Sequence, residues 1–172
     1  MPSDPAAIAH AVLDAWNTHD LPRFLDMLTE DVEWYDPAMP HPPAVGRPAV
    51  RAFAESVLRA FPDFRYDIRE PLCVSTDGTR CVVPWRITAT HVQPLTPPGY
   101  APTGRQLTID GLDQLDLRDG QVARILTCFD VIVAAEQLLS ITLRPKARSW
   151  RQRFLVGLQR AAALRARRLT RA

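Results

Sequence analysis

Cysteine and glycine are both scarce in this chain of 172 residues, three of the first and seven of the second. The three thiols, Cys73, Cys81 and Cys128, are odd in number and sit in apolar, strand-like contexts, which suits free core cysteines in a reducing compartment. So few glycines leave no phosphate-cradling loop, and nucleotide binding is not expected. No CxxC or HxxxH occurs, and His10, His19, His41 and His91 lack the spacing of metal ligands. Neither a metal nor a cofactor is therefore expected. No apolar run approaches the roughly 18 residues of a membrane span. The opening MPSDPAAIAHAVLDAW is acidic and polar where a secretory signal is basic and then apolar, so a cytoplasmic location is expected.

Acid is missing from one region altogether. Residues 144–172 hold ten of the 21 basic residues and none of the 19 acidic ones. The rest then carries eleven basic against 19 acidic residues, a balance of −8. Two parts are predicted: a globular domain over 1–143 and a basic amphipathic tail over 144–172. In the tail, Trp150, Phe154, Leu158, Ala161 and Leu164 recur at helical spacing. That helix is expected to touch its own acidic body, a membrane surface or a partner protein, and nucleic acid is not expected.

Hydropathy periods organise the first part. Ile8, Val12, Leu13 and Trp16 share a helical face behind an Asp4–Pro5 start. LPRFLDML reads as a second short helix, VEWYDP as a strand ending at Pro37, and residues 48–61 as a third amphipathic helix. Four strands are predicted next: FRYDIREPLCV, TRCVVPWRITATHV, GRQLTIDGLDQLDL and QVARILTCFD, with TDG and RDG as hairpin turns. VIVAAEQLLSI follows as a short helix or strand end. Helices first and an antiparallel sheet after them make an α+β fold.

Several polar residues interrupt apolar strands. Asp130 ends ARILTCFD, where it either marks the exit of the strand or is held in a pocket for its charge. Trp34 and Asp36 alternate onto one side of VEWYDP, and one of Trp85 and Arg86 must face inwards. Pairing across RDG sets Asp113 opposite Leu126, on the face of Asp130, although aspartates at 110, 113, 116 and 119 equally suit an exposed edge strand. Asn17 reads as turn chemistry ending the first helix.

Four stretches in order, AWNTHDLPRFLDMLTEDVEWYDP, GRPAVRAFAESVLRAFPDFRYDI, ATH followed by PTGRQL, and LRDGQVARILTCFD, resemble the SnoaL-like branch of the nuclear transport factor two-like superfamily across about residues 8–140. The resemblance implies a cone, a curved and mostly antiparallel (cystatin-like) sheet wrapped around the N-terminal helices, with a closed apolar pocket and common pairing into homodimers. It also implies a polyketide cyclase or related isomerase acting on a small hydrophobic carbonyl substrate. Asp130 is then the acid–base residue and His91, in ATHV, a donor near the pocket mouth. Asp113, Trp34, Asp36, Trp85 and Arg86 are the candidate substrate contacts. Burial can raise a carboxylate by up to roughly 3–5 pH units, into the range of a general base. MPHPPAVGRPAV also resembles a loop of limonene epoxide hydrolases, but Asp36 and Ala38 stand where those enzymes have Tyr and Asn, and Thr88 replaces the acid that follows their arginine. A non-catalytic dimeric binding module is the third reading.

Overall fold

The computed structural model describes residues 4–39, 42–69, 71–96, 99–139, 144 and 147–169, with backbone alone at 151, 161, 162 and 164–169. His41 and the side chains of Ala161 and Leu164, raised above, lie outside the described residues. The chain divides into two units, Met1–Ser140 and Ile141–Ala172.

In the first unit, helix α1 (Pro5–Asn17) starts where expected: the Asp4 carboxylate accepts from the Ala6 N–H at 3.0 Å and Pro5 opens the first turn. Its stripe of Ala9, Val12, Leu13, Ala15 and Trp16 is buried. Helix α2 (Leu21–Asp26) is capped by Asp20 and buries Phe24 and Leu25. Strand β1 (Leu28–Tyr35), strand β2 (Ala44–Val45) and helix α3 (Gly46–Ala60) follow. The predicted strand FRYDIREPLCV is instead two short ones, β3 (Arg65–Ile68) and β4 (Cys73–Val74), and Glu70 between them lies outside the described residues. Pro71 explains the break, because it has no N–H to give a ladder. The long strands β5 (Arg80–Thr90), β6 (Gln106–Arg118) and β7 (Gln121–Phe129) are near their predicted places, and VIVAAEQLL is a helix, α4 (Val131–Leu139).

The sheet runs β2-β1-β7-β6-β5-β3, with β4 paired to β5; every pairing is antiparallel except β1 with β7. It is curved and open, and the helices belong to its concave side, so the fold is α+β as expected. Asp119 and Gly120, at φ 51° and 79°, form the two-residue hairpin turn between Arg118 and Gln121. Both central positions need a left-handed backbone there, which Asp–Gly supplies at low cost. Trp16 anchors the core, with Phe24, Trp34, Phe64 and Tyr66 packed around its ring at centroid distances of 5.4–6.1 Å.

In the second unit, helix α5 spans Trp150–Leu169. No helix among the described residues is long and apolar enough to cross a membrane.

Candidate active site

Strand alternation assigns one face of the sheet to the interior. On β5 it is Cys81, Val83, Trp85, Ile87 and Ala89 that are buried, and the β5–β6 register places Leu115, Asp113, Gly111, Ile109 and Leu107 opposite them in turn. Across β6–β7, Gly111, Asp113 and Leu115 face Phe129, Thr127 and Ile125. The parallel pairing of β1 with β7 sets Trp34 beside Ile125 and Tyr35 beside Leu126, so Asp36, one residue on, falls level with Thr127. The concave face therefore carries a row of Asp36, Thr127, Asp113 and Val83. Two ladder spacings separate the carboxylate-bearing chains, about 10 Å between Cα atoms.

Above this face lies a cavity of about 270 Å³. Its wall is almost wholly apolar: Trp16, Trp34, Phe53, Phe61, Phe64 and Ile87 are typical, and its ionisable lining groups are Asp36, Tyr66 and Tyr100. No described Lys, Arg or His lines it. Helix α4 closes one side through Val131, Ala134, Ala135 and Leu138. That helix is tied down where β7 has ended: the Gln137 amide accepts from the Thr108 N–H at 2.7 Å and donates to the Thr108 carbonyl at 2.9 Å, standing in for the strand that β6 no longer has beside it.

The electrostatics follow from burial. Desolvation lifts Asp36 from 3.8 to about 6, against the opposing pull of the Ala38 N–H, which donates to Asp36 Oδ1 at 2.7 Å. Asp113 is 5% exposed and is lifted further, to about 7, chiefly by desolvation; the Thr127 hydroxyl pulls it back down, the negative charge of Asp36 adds a smaller upward push, and the Trp85 indole N–H a smaller pull still. The Trp85 N–H does not reach hydrogen-bonding geometry, and Asp113 Oδ1 has no hydrogen-bond partner among the described residues. Thr127 is held from the other side, its Oγ1 accepting from Trp34 Nε1 at 3.0 Å. Tyr66 is buried, and desolvation together with Asp113 and Asp36 pushes its phenol well above the ordinary value, so it stays a protonated donor.

Set against the sequence, these positions divide. Trp34 and Asp36 face inwards together, and both line the cavity. Asp113 is interior too, though it lies behind the cavity wall rather than in it, which corrects its expected contact with substrate, and it faces inwards for a different reason than the hairpin count implied. A bulge between Asp116 and Leu117 shifts the pairing by one residue, placing Asp113 opposite Thr127 rather than Leu126. A slip of one reverses every face along a strand. The same shift puts Cys128 and Asp130 on the outer side. Asp130 is exposed: its Oδ1 accepts from the Val133 N–H at 3.0 Å and its carbonyl from the Ala134 N–H at 3.1 Å. The expectation that its carboxylate enters the hollow is thus corrected. It caps α4, whose first turn has backbone donors to satisfy.

His91 is buried, stacked on Phe61 at 5.1 Å, but is not part of the cavity wall; neither ring nitrogen has a hydrogen-bond partner among the described residues, and burial lowers its pKa. Of the Trp85–Arg86 pair, Trp85 turns inwards. It backs the wall rather than lining it, resting against Tyr66 and Phe129. Space for its ring exists because Gly111 lies opposite: a Cβ there meets Trp85 Cη2 at 2.3 Å. Arg86 turns outwards, where Asp110 accepts from it at 2.8 and 2.7 Å. The epoxide-hydrolase pattern needs that arginine at the cavity, and here it sits on the opposite face.

Three contributors escaped the sequence reading. Tyr66 carries the right alternation in FRYDI but no neighbour that marks it. Thr127 is the one polar inward position among Ile125, Thr127 and Phe129. Asn17 is more than a helix end: its amide donates to the Tyr66 carbonyl at 2.9 Å and accepts from the Tyr66 N–H at 2.7 Å, fastening edge strand β3 to α1.

Comparison with known proteins gives a consistent picture. The family model described as a SnoaL-like domain matches residues 9–125. No curated protein matches the sequence. Among solved structures, a candidate polyketide cyclase from Pseudomonas putida KT2440 is 20% identical, with 76% of this chain and 95% of that chain covered and a TM-score of 0.67. A candidate SnoaL-like polyketide cyclase from Jannaschia sp. CCS1 is 18% identical, covering 81% and 94% at a TM-score of 0.70. AclR from Streptomyces galilaeus, a candidate hydroxylase, is 20% identical and covers 83% and 100% at 0.67. At such identities the likeness is one of fold.

Proposed function

Since this chain belongs to the SnoaL-like domain family, we propose that it is a cyclase or isomerase that moves a proton on a hydrophobic, polyketide-like carbonyl compound, with Asp36 as the base. The observation that carries this reading is the pair of buried carboxylates flanking Thr127 in one cross-strand row beneath an apolar cavity. A base must be ionised and yet basic, and Asp36, raised to about 6, meets both needs near neutral pH. Its carboxylate takes the proton from the carbon next to the substrate carbonyl, the C–H electron pair becomes the enolate, and the enolate oxygen accepts from the Tyr66 phenol. The enolate carbon then either attacks a second carbonyl of the same molecule, closing a ring while the new alkoxide takes back the proton held by Asp36, or regains that proton at another position from Asp36.

Asp113 has a separate part. Burial first, and the negative charge of Asp36 after it, keep the proton on Asp113 up to about pH 7 while Asp36 ionises first. The rate should therefore rise with pH as Asp36 loses its proton near 6. Ring closure or double-bond shift of a neutral polyphenolic or polyketide ketone, followed by absorbance, is the assay. Asp36→Asn should leave the fold and ligand affinity in place and lower kcat by at least about 10²-fold, the ordinary share of a general base. An Asp36→Asn enzyme with unaltered kcat removes the proton-transfer role; a protein that binds such ketones and never converts them is a binding module instead.

A further inference from the structure

Helix α5 has no place in the chemistry above, and its composition asks for a partner of its own. It is 20 residues long, about 30 Å at the rise of an α-helix. Trp150, Phe154 and Leu158 follow one another at four-residue steps on one face, and are 72%, 62% and 53% exposed. Leu155 and Val156 are exposed as well, Val156 on the side of the arginine groove. Arg153 and Arg160, seven residues apart, flank Gly157 and share a shallow groove with Arg148 and Gln152. The surrounding residues 144–172 hold ten cations and no acid, and nine of the ten are arginines.

We propose that α5 is an interfacial helix that lays this chain on an anionic lipid bilayer. Large apolar side chains exposed on a helix want an apolar medium, while guanidinium groups beside them want phosphate. A bilayer surface supplies both at once, at the depth of a helix lying flat. Duplex nucleic acid satisfies the arginines and leaves Trp150, Phe154 and Leu158 in water. A protein groove covers the apolar side chains but has to bring many acids to match ten cations. The helix lies on the membrane rather than through it, because it is not apolar enough to span. The arginine groove at Gly157, where no side chain fills the space, suits a lipid phosphate.

The test uses the full chain and its own fluorescence. Trp16, Trp34 and Trp85 are buried, so quenching by acrylamide reports Trp150 above all. On adding vesicles of phosphatidylcholine with phosphatidylglycerol, the emission shifts to the blue, quenching falls, and the protein floats with the lipid. Vesicles of phosphatidylcholine alone give none of this, and added salt weakens the binding. Phe154→Ser with Leu158→Ser lowers the partition coefficient by about tenfold or more. Arg153→Gln with Arg160→Gln does the same by about tenfold through lost charge. Circular dichroism and the cavity's ligand affinity stay constant in both variants, which separates lost membrane binding from lost folding. Failure to bind either vesicle, equal binding to both, a response to duplex DNA in place of lipid, or protection of Trp150 by self-association alone overturns the proposal.

Discussion

Replacing Asp113 by asparagine should stabilise this protein far more at pH 8 than at pH 5. The carboxyl is raised from 3.8 to about 7 by a dry setting and by Asp36. A folded-state pKa above the unfolded one means that the native protein holds a proton the unfolded chain has released. Its contribution is fully present below about 4 and is lost as pH rises through about 7. Between pH 5 and 7 each pH unit therefore removes about 1.4 kcal/mol, so about 3 kcal/mol goes between pH 5 and 8. Asparagine has nearly the same shape, no charge to desolvate, and can still meet the Thr127 hydroxyl. Urea unfolding of the two proteins at pH 5, 6, 7 and 8 reads the difference directly. The wild-type curve should fall away from that of Asp113→Asn by about 3 kcal/mol, or roughly 6–12 °C in Tm for a domain of this size. Parallel curves, with a constant gap at every pH, would show that Asp113 titrates normally and would refute the dry row.

Other perturbations follow from single contacts. Gly111→Ala drives a methyl group to 2.3 Å from the buried Trp85 Cη2 and 2.6 Å from the Cys128 backbone carbonyl of the neighbouring strand, so a loss of about 1–3 kcal/mol is expected in thermal unfolding. Asn17→Ala leaves the backbone N–H and C=O of Tyr66 unsatisfied on a half-buried edge; about 1–3 kcal/mol of stability should go, and kcat should fall with it because the phenol loses its position. Asp130→Ala removes the cap of α4 and should cost about 1 kcal/mol in denaturant melts while the chemical step keeps its pH profile. If the profile moves instead, Asp130 does more than start a helix.

Why Asp113 and Asp130 exchanged places has one local cause. From the RDG turn outwards, counting residues on each arm gives Asp113 against Leu126, and the hairpin obeys that count for the pairs nearest the turn's end only. The bulge at Asp116 and Leu117 inserts one extra residue on one strand. Nothing in LDLRDGQVA marks it: there is no glycine or proline at the bulged position, and the apolar alternation reads equally well on either side. The same ambiguity left Trp85 and Arg86 unresolved until β6 supplied Gly111 for the indole and Asp110 for the guanidinium. By contrast, Trp34 lies in, and Asp36 directly after, a strand whose inward side is marked by Val32 and Trp34 before the turn is reached, and their orientation was legible.

By itself the sequence determined the elements, their order and the class of fold, because helical and strand periods, capping aspartates and an Asp–Gly turn act over a few neighbouring residues. It also determined that residues 144–172 gather ten cations and no acid while the rest carries a balance of −8. What only the tertiary structure decided was which carboxylates lose their water. That depends on register across strands far apart in the chain, on a bulge, and on Asn17 and Gln137 reaching elements far along the chain from their own. Desolvation belongs to the assembled cavity, and no residue carries it alone.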